Sequence, residues 1–177
     1  GELFQLIAEG AAETNPDLFF VGTHGIRGVQ HIIGSFIAKI INGSNVPVCV
    51  VQKESKVVPF EYIVVYIDSM NRKPLHHLTL MLAKAFNAKL HFVFSEAPDV
   101  FAVSKMISEI KERLETEKIS FDMYHLPEEH EHQKSFLTVA DKHVAPLVII
   151  NRCGKVVDKA YEEIITNHQH LPVLCIN

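Results

Sequence analysis

The stretch from Asp17 to Gln52 reads DLFFVGTHGIRGVQHIIGSFIAKIINGSNVPVCVVQ, and it constrains the fold more than any other part of the chain. An apolar run, Leu18 to Val21, breaks at Gly22-Thr23-His24-Gly25. A second glycine point follows at Gly34-Ser35, a helical pattern runs through Ile41, and a β-rich run closes the stretch at Val46 to Val51. The order is strand, glycine loop, helix, strand. Glycines leave the backbone N–H groups of a strand-to-helix turn open to an anion, and the helix N-terminus adds partial positive charge. A phosphate suits such a loop. The plain alternative is a structural turn, because glycine also ends strands for conformational reasons alone.

Taken from its first residue, the chain places Leu3, Leu6, Ile7, Gly10 and Ala11 on one helical face within residues 2–14, and Asn15-Pro16-Asp17 ends that helix. Strand 18–22, the glycine loop, a helix near 33–42 and strand 46–51 complete an α-β-α-β unit of residues 1–52. Two strands and two helices cannot bury both faces of a sheet, so this unit must dock on something. Residues 53–60 read as a linker, with mixed charge, a Ser and a Pro.

Beyond the linker, Tyr62-Ile63-Val64-Val65-Tyr66-Ile67 is a continuous apolar and β-branched run, the pattern of a central parallel strand covered on both sides. Asp68-Ser69 follows it. A helix then carries Leu75, Leu78, Leu82 and Ala85 inward, strand Lys89 to Phe94 comes next, and Asp99 starts a helix whose stripe is Val103, Met106, Ile107, Ile110 and Leu114. Strand 121–126, helix 130–143, strand 147–150, helix 156–167 and strand 173–176 follow. Strands alternating with helices of this length predict right-handed crossovers and a parallel sheet. The expected class is α/β, with residues 61–177 forming one complete domain.

The chain also repeats itself. Leu18 to Gly25 lies over Leu147 to Gly154 at an offset of 129, and Val46-Pro47-Val48 lies over Leu171-Pro172-Val173 at an offset of 125. With Gly22, Gly25, Gly34, Ser35 and Val46-Pro47-Val48 in this order, the chain resembles the universal stress protein family. That family's signature is Gly-x-x-Gly, nine residues, Gly-Ser or Gly-Thr before a helix, then a Pro-Val-rich last strand. Here eight residues, Ile26 to Ile33, separate Gly25 from Gly34.

The resemblance implies a tandem arrangement: residues 1–52 as the back half of a first domain and 61–177 as a full, divergent second one. The implied fold is a parallel five-stranded doubly wound sheet of the adenine nucleotide alpha hydrolase type, order 3-2-1-4-5, beside an α-β-α-β half-domain. It further implies ATP or a related nucleotide as ligand. Gly22, Thr23, His24, Gly25, Gly34 and Ser35 would hold the phosphates, Asp68 would sit near the ribose, and the strand end at Val93-Phe94 would read the adenine. Neither copy carries all three parts: Gly22 becomes Asn151 in the second, and Gly34-Ser35 aligns near Lys159-Ala160. A circular permutation packing 1–52 against 61–126, or a partner chain, would reunite them; a truncated tandem is the plainer arrangement. In this family the last strands pair across a pseudo-dimer or true dimer, which makes Val46–Val51 and Val173–Ile176 the expected interface strands and a homodimer the expected assembly.

Composition narrows the function classes. An apolar content of 47% with 21% charged residues is globular, and a net charge of -4 without a Lys/Arg stripe argues against nucleic acid as the main partner. No apolar run reaches the ~18–20 residues of a membrane span, and no basic-then-apolar signal opens the sequence, so a cytoplasmic protein without a membrane partner is expected. Cys49, Cys153 and Cys175 read as reduced core thiols. Glu128-Glu129-His130-Glu131-His132 reads as a solvated helix start, because neighbouring helical His side chains diverge too far to chelate one ion; no metal site is expected. His168 and His170 read as a polar loop, and Arg27 as solvated. No nucleophile-base order or acid pair supports catalysis. The expected function is a non-enzymatic, nucleotide-binding stress-response protein; the alternative is a nucleotide-free dimerisation or interaction module of the same fold.

Overall fold

The computed structural model describes residues 10, 13–14, 16–23, 30–52, 55, 59–67, 75–94, 100–126, 136, 139–140, 147–151, 161, 164–165, 167 and 170–176. Seven strands are defined: β1 (Phe19–Thr23), β2 (Val48–Gln52), β3 (Tyr62–Ile67), β4 (Lys89–Phe94), β5 (Phe121–His125), β6 (Leu147–Asn151) and β7 (Val173–Ile176). Three helices have defined limits: α1 (Gln30–Gly43), α2 (His77–Phe86) and α3 (Val100–Thr116). The strands form one sheet of order β1-β2-β7-β6-β3-β4-β5. Residues 62–176 thus take the expected order 3-2-1-4-5, all parallel. The β1-β2 pair, also parallel, joins it through an antiparallel pairing of β2 with β7.

Permutation is therefore overturned as the internal arrangement. Residues 1–52 do not pack their strands against β3 or β4, because β6 already occupies the edge of β3 that they would need. The expected interface strands do pair, with each other inside one chain as in the pseudo-dimer form of the expectation, at Val48↔Cys175, Cys49↔Leu174 and Val50↔Val173.

The seam has local two-fold symmetry. Phe19↔Val48, Phe20↔Cys49, Val21↔Val50 and Gly22↔Val51 in the first pair correspond, under the two sequence offsets, to Val148↔Val173, Ile149↔Leu174, Ile150↔Cys175 and Asn151↔Ile176 in the second. Even the entry bonds match: Phe19 N–H donates to Pro47 O at 2.9 Å and Val148 N–H to Pro172 O at 3.0 Å. Identical registers follow from identical alternation, because a one-residue slip would turn each apolar set to the wrong face.

Alternation divides the core between the two sheet faces. One layer holds Val48, Val50, Val64, Tyr66, Val93, Val148, Ile150, Val173 and Cys175, with Ile37, Ile40 and Ile41 of α1, Phe136 and Ile164 above them. The other holds Cys49, Ile63, Val65, Ile67, Leu90, Phe92, Phe94, Ile149 and Leu174, covered by Leu78 and Ala83 of α2 and Met106, Ile110 and Leu114 of α3. The α3 stripe is as expected. In α2, Ala85 is exposed rather than inward, because Ala83 takes the buried position and the helix ends one turn later at Asn87 in a left-handed C-cap.

The last-strand thiols lie on opposite sides of the sheet, Cys49 in one layer and Cys175 in the other, so no disulfide can join them. Both are buried, and neither is in a disulfide; Cys153 lies outside the described residues. Burial pushes the Cys49 thiol up to about 11. At pH 8 roughly one Cys49 in a thousand is thiolate, so peptide mapping after brief alkylation should find it unmodified until the protein is denatured.

Helix α2 begins at an unusual cap. The neutral Nδ1 of His76 accepts the Leu78 N–H at 3.2 Å, which satisfies one of the helix's orphan donors. Burial, and then the adjacent His77, hold His76 below its ordinary value of 6.5. In that window the unfolded chain binds more protons than the folded one. The cap's contribution is present above the ordinary value and is lost as pH falls through the folded one. Exchange of the Leu78 amide should quicken on moving from pH 7.5 to 5.5 beyond its intrinsic pH dependence, and His76→Asn, which caps without titrating, should remove the difference.

Candidate functional site

The sheet fixes where each expected ligand group can stand. Gly22 lies one residue before the C-terminal end of β1, exposed, and a Cβ there would meet nothing within 4 Å. Thr23 ends the strand. His24 and Gly25 lie outside the described residues, as does Asp68. Gly34 and Ser35 are not ahead of the helix, where the family signature sets them, but inside it: α1 starts at Gln30, which puts them in its second turn. A regular helix ties the N–H of its fifth residue to the carbonyl of its first, so the Gly34 amide is an internal bond and not an open donor.

Val93 is fully buried in β4, between Tyr66 of β3 and Tyr124 of β5. Lys89 donates its N–H to Glu61 O on the β3 side, while Leu90 donates to Ser120 O on the β5 side. By the alternation of a parallel ladder, Val93 directs both backbone groups at β3. They are committed to the sheet.

The chain does not bring Gly22-Thr23 and Val93 together. β1 runs antiparallel to β3 and β4, so the C-terminal ends of β1 and β4 fall at opposite ends of the sheet. Five inter-strand steps at ~4.8 Å add a lateral separation of about 24 Å. Gly22-Thr23 and Val93 cannot touch one nucleotide. At the sheet's own topological switch point, between β3 and β6, the residue equivalent to Gly22 is Asn151, 4% exposed, and its side chain fills space that a glycine would leave open.

Two polar clusters escaped the sequence reading. The first locks the seam. Asn167 donates from Nδ2 to Ile164 O at 3.0 Å and to Leu171 O at 3.1 Å, and its Oδ1 accepts the Leu171 N–H at 2.9 Å. Gln52, at the end of β2, donates from Nε2 to Asn167 O at 3.0 Å, and its Oε1 lies 3.0 Å from His170 Nδ1. The Ser55 hydroxyl donates to His170 O at 2.7 Å. Gln52 and Asn167 are both buried. The linker and the loop before β7 thus form one hydrogen-bonded unit across the junction, and His170, expected as a loop residue, belongs to it with a left-handed φ of 57. The available signal was a polar Gln ending an apolar strand.

The second cluster lies on the β4-β5 side. Buried His91 sits between Tyr62, edge-on at 5.1 Å, and Tyr124, stacked at 5.5 Å. Its Nε2 is 3.7 Å from Asp122 Oδ2, which also takes Lys89 Nζ at 2.8 Å and the Tyr124 hydroxyl at 3.4 Å. The Lys89 hydrogen bond holds the Asp122 carboxyl below its usual range, and reciprocally raises Lys89. Burial and then Asp122 push Tyr124 up. Lys89 and Asp122 are substantially exposed, so the ion pair is worth little to stability. Nearby, at the N-terminal ends of β3, β4 and β5, a cleft of about 560 Å³ is lined by Phe60, Tyr62, Phe86, Lys84, Lys89 and Lys118. Helix C-termini at Asn87 and Lys118 border it, and their carbonyls disfavour anions.

Among the described residues, no three or more His, Cys, Asp or Glu side chains converge on a metal site. No helix of the described residues is long and apolar enough to cross a membrane.

Comparison with known proteins agrees with this geometry. The model of the universal stress protein family matches residues 1–52. No curated protein matches the chain. Among solved structures, a universal stress protein from Archaeoglobus fulgidus DSM 4304 superposes with a TM-score of 0.73 at 17% identity, over 97% of this chain and 64% of its own. A protein of unknown function from Pseudomonas aeruginosa PAO1 superposes with a TM-score of 0.62 at 15% identity, over 98% and 66%. The cytoplasmic domain of a prokaryotic cation chloride cotransporter gives 0.56 at 14%, over 96% and 68%. The shared property is the fold. The chain spans 64% of the Archaeoglobus protein's length and 66% of the Pseudomonas one's.

Proposed function

From the premise that residues 1–52 are universal stress protein sequence, we propose that this chain is a non-enzymatic stress-response protein working as an interaction module. One observation carries this reading: the phosphate-loop strand β1 and the adenine-side strand β4 point to opposite ends of one sheet, so no single pocket of this chain combines them. What the fold offers instead is a continuous sheet of seven strands.

A second reading has its own support. Gly22 is exposed, with open space where a side chain would stand, and α1 begins shortly after β1, an arrangement that suits an anion. On that reading, ATP or a related nucleotide binds at Gly22, Thr23, His24 and Gly25 once a front half stands beside β1. Calorimetric titration with Mg-ATP separates the two. The interaction reading expects no binding in the micromolar range. Micromolar binding that disappears in Gly22→Ala, whose Cβ meets nothing within 4 Å in the chain itself, would replace it with the nucleotide reading.

A further inference from the structure

The entries of β3, β4 and β5 and the end of α2 wall the cleft of about 560 Å³, a volume within the range of small-molecule sites. Its apolar part is aromatic. Phe60, just ahead of β3, stacks on Phe86, the last residue of α2, with ring centroids 4.4 Å apart and planes 17° from parallel. The stack uses one face of each ring, and Phe86 is still 47% exposed, a large apolar surface that gains from cover.

Most of the charge on these walls is already paired. Lys84 is bonded to Glu117, which also takes Arg113, and Lys89 is bonded to Asp122. Glu61 and Lys118 are both exposed, and among the described residues neither enters an ion pair. They stand at the entries of β3 and β5, two inter-strand steps or about 10 Å apart. The end of α2 adds partial negative charge. The Asn87 and Ala88 N–H groups turn back to Lys84 O and Ala83 O, which leaves the Phe86 carbonyl without a donor among the described residues.

A simple anion in this cleft would meet Glu61 and the helix end, and a simple cation would meet Lys118. A small molecule that carries both charges beside a ring suits all three features. We propose that the cleft binds a free α-amino acid with an aromatic side chain. Its carboxylate pairs with Lys118, its ammonium with Glu61 and the Phe86 carbonyl, and its ring lies on the open face of Phe86. The cleft lies at the N-terminal ends of β3, β4 and β5, opposite the strand end expected to read adenine, so this inference is independent of nucleotide binding.

NMR titration of the labelled chain with L-phenylalanine tests it. Saturable shifts are expected at Phe86, Lys118 and Ser120, with a Kd of about 1 mM or below, and none at Cys49 and Leu174 in the seam. Phenylalanine amide, which lacks the carboxylate, N-acetylphenylalanine, which lacks the ammonium, and glycine, which lacks the ring, should each bind about 10-fold or more weakly. Lys118→Met should weaken phenylalanine by a similar factor and leave the affinity for the amide unchanged. Glu61→Gln should weaken phenylalanine and leave the affinity for N-acetylphenylalanine unchanged. Misfolding cannot produce that crossed pattern, and unmoved seam shifts show that both variants keep the fold. Absence of saturable shifts up to about 10 mM overturns the proposal. N-acetylphenylalanine binding as tightly as phenylalanine overturns it in favour of an aromatic anion, and the amide doing so overturns it in favour of an aromatic cation. Glycine binding as tightly overturns it by removing the ring from recognition.

Discussion

Asn167→Leu should cost the protein about 2–4 kcal/mol, and should loosen the seam before the rest of the sheet. The Asn167 side chain supplies two donors and an acceptor to Ile164 O, Leu171 O and Leu171 N–H in a place 1% exposed. Leucine has nearly the same shape and none of these groups, so three backbone atoms lose their partners at about 1–3 kcal/mol for each one left buried, partly offset by relaxation and water entry. Chemical denaturation measures the total. Amide exchange resolves its location: β2 and β7 should gain exchange rate more than β4, because the lock joins Gln52 and Ser55 to the loop before β7 and touches nothing on the β4-β5 side. Uniform loss across the sheet would mean that Asn167 is only one more core residue.

Two phenylalanines give the second large effect by their contrast. Phe92 is fully buried in β4, among the largest enclosed side chains of the core, and Phe92→Ala should destabilise by about 3–5 kcal/mol through lost burial and the cavity left behind. Phe20→Ala should cost less than about 0.5 kcal/mol, because a side chain 65% exposed loses little on truncation. Urea midpoints at constant slope measure both.

Much of the fold was legible because its signals are local. Tyr62–Ile67 and Lys89–Phe94 have the limits that their apolar runs predict, and the α3 stripe buries Met106, Ile110 and Leu114. The order 3-2-1-4-5 follows from right-handed crossovers and the resemblance together. The seam was legible only in part. That Val46–Val51 and Val173–Ile176 need cover can be read from their composition; that they cover each other, antiparallel, is a choice among long-range partners that no local pattern encodes. That choice sends β1 and β4 in opposite directions and so decides the fate of the site.

The glycine loop was misleading for a related reason. Gly34-Ser35 matches a signature by order, yet Gln30 to Gly43 carries enough helical periodicity to extend the helix backwards over it. The lock of Gln52, Ser55, Asn167 and His170 was invisible because Asn and His in a loop are ordinary; only the fold shows that Asn167 returns to Gln52 across a sequence separation of 115.

The most direct test of the central claim is an isotope-edited NOE experiment on Cys49, recorded at low concentration on uniformly labelled protein and on a mixture of labelled and unlabelled chains. The seam predicts strong contacts between the Hα of Cys49 and that of Leu174, the non-hydrogen-bonded pair flanked by Val48/Cys175 and Val50/Val173. They should be intramolecular, with none from β1 or β2 to Tyr62–Ile67. Contacts between β1 and β3, or seam contacts that appear only between different chains, would contradict it and return Gly22 and Val93 to a common site.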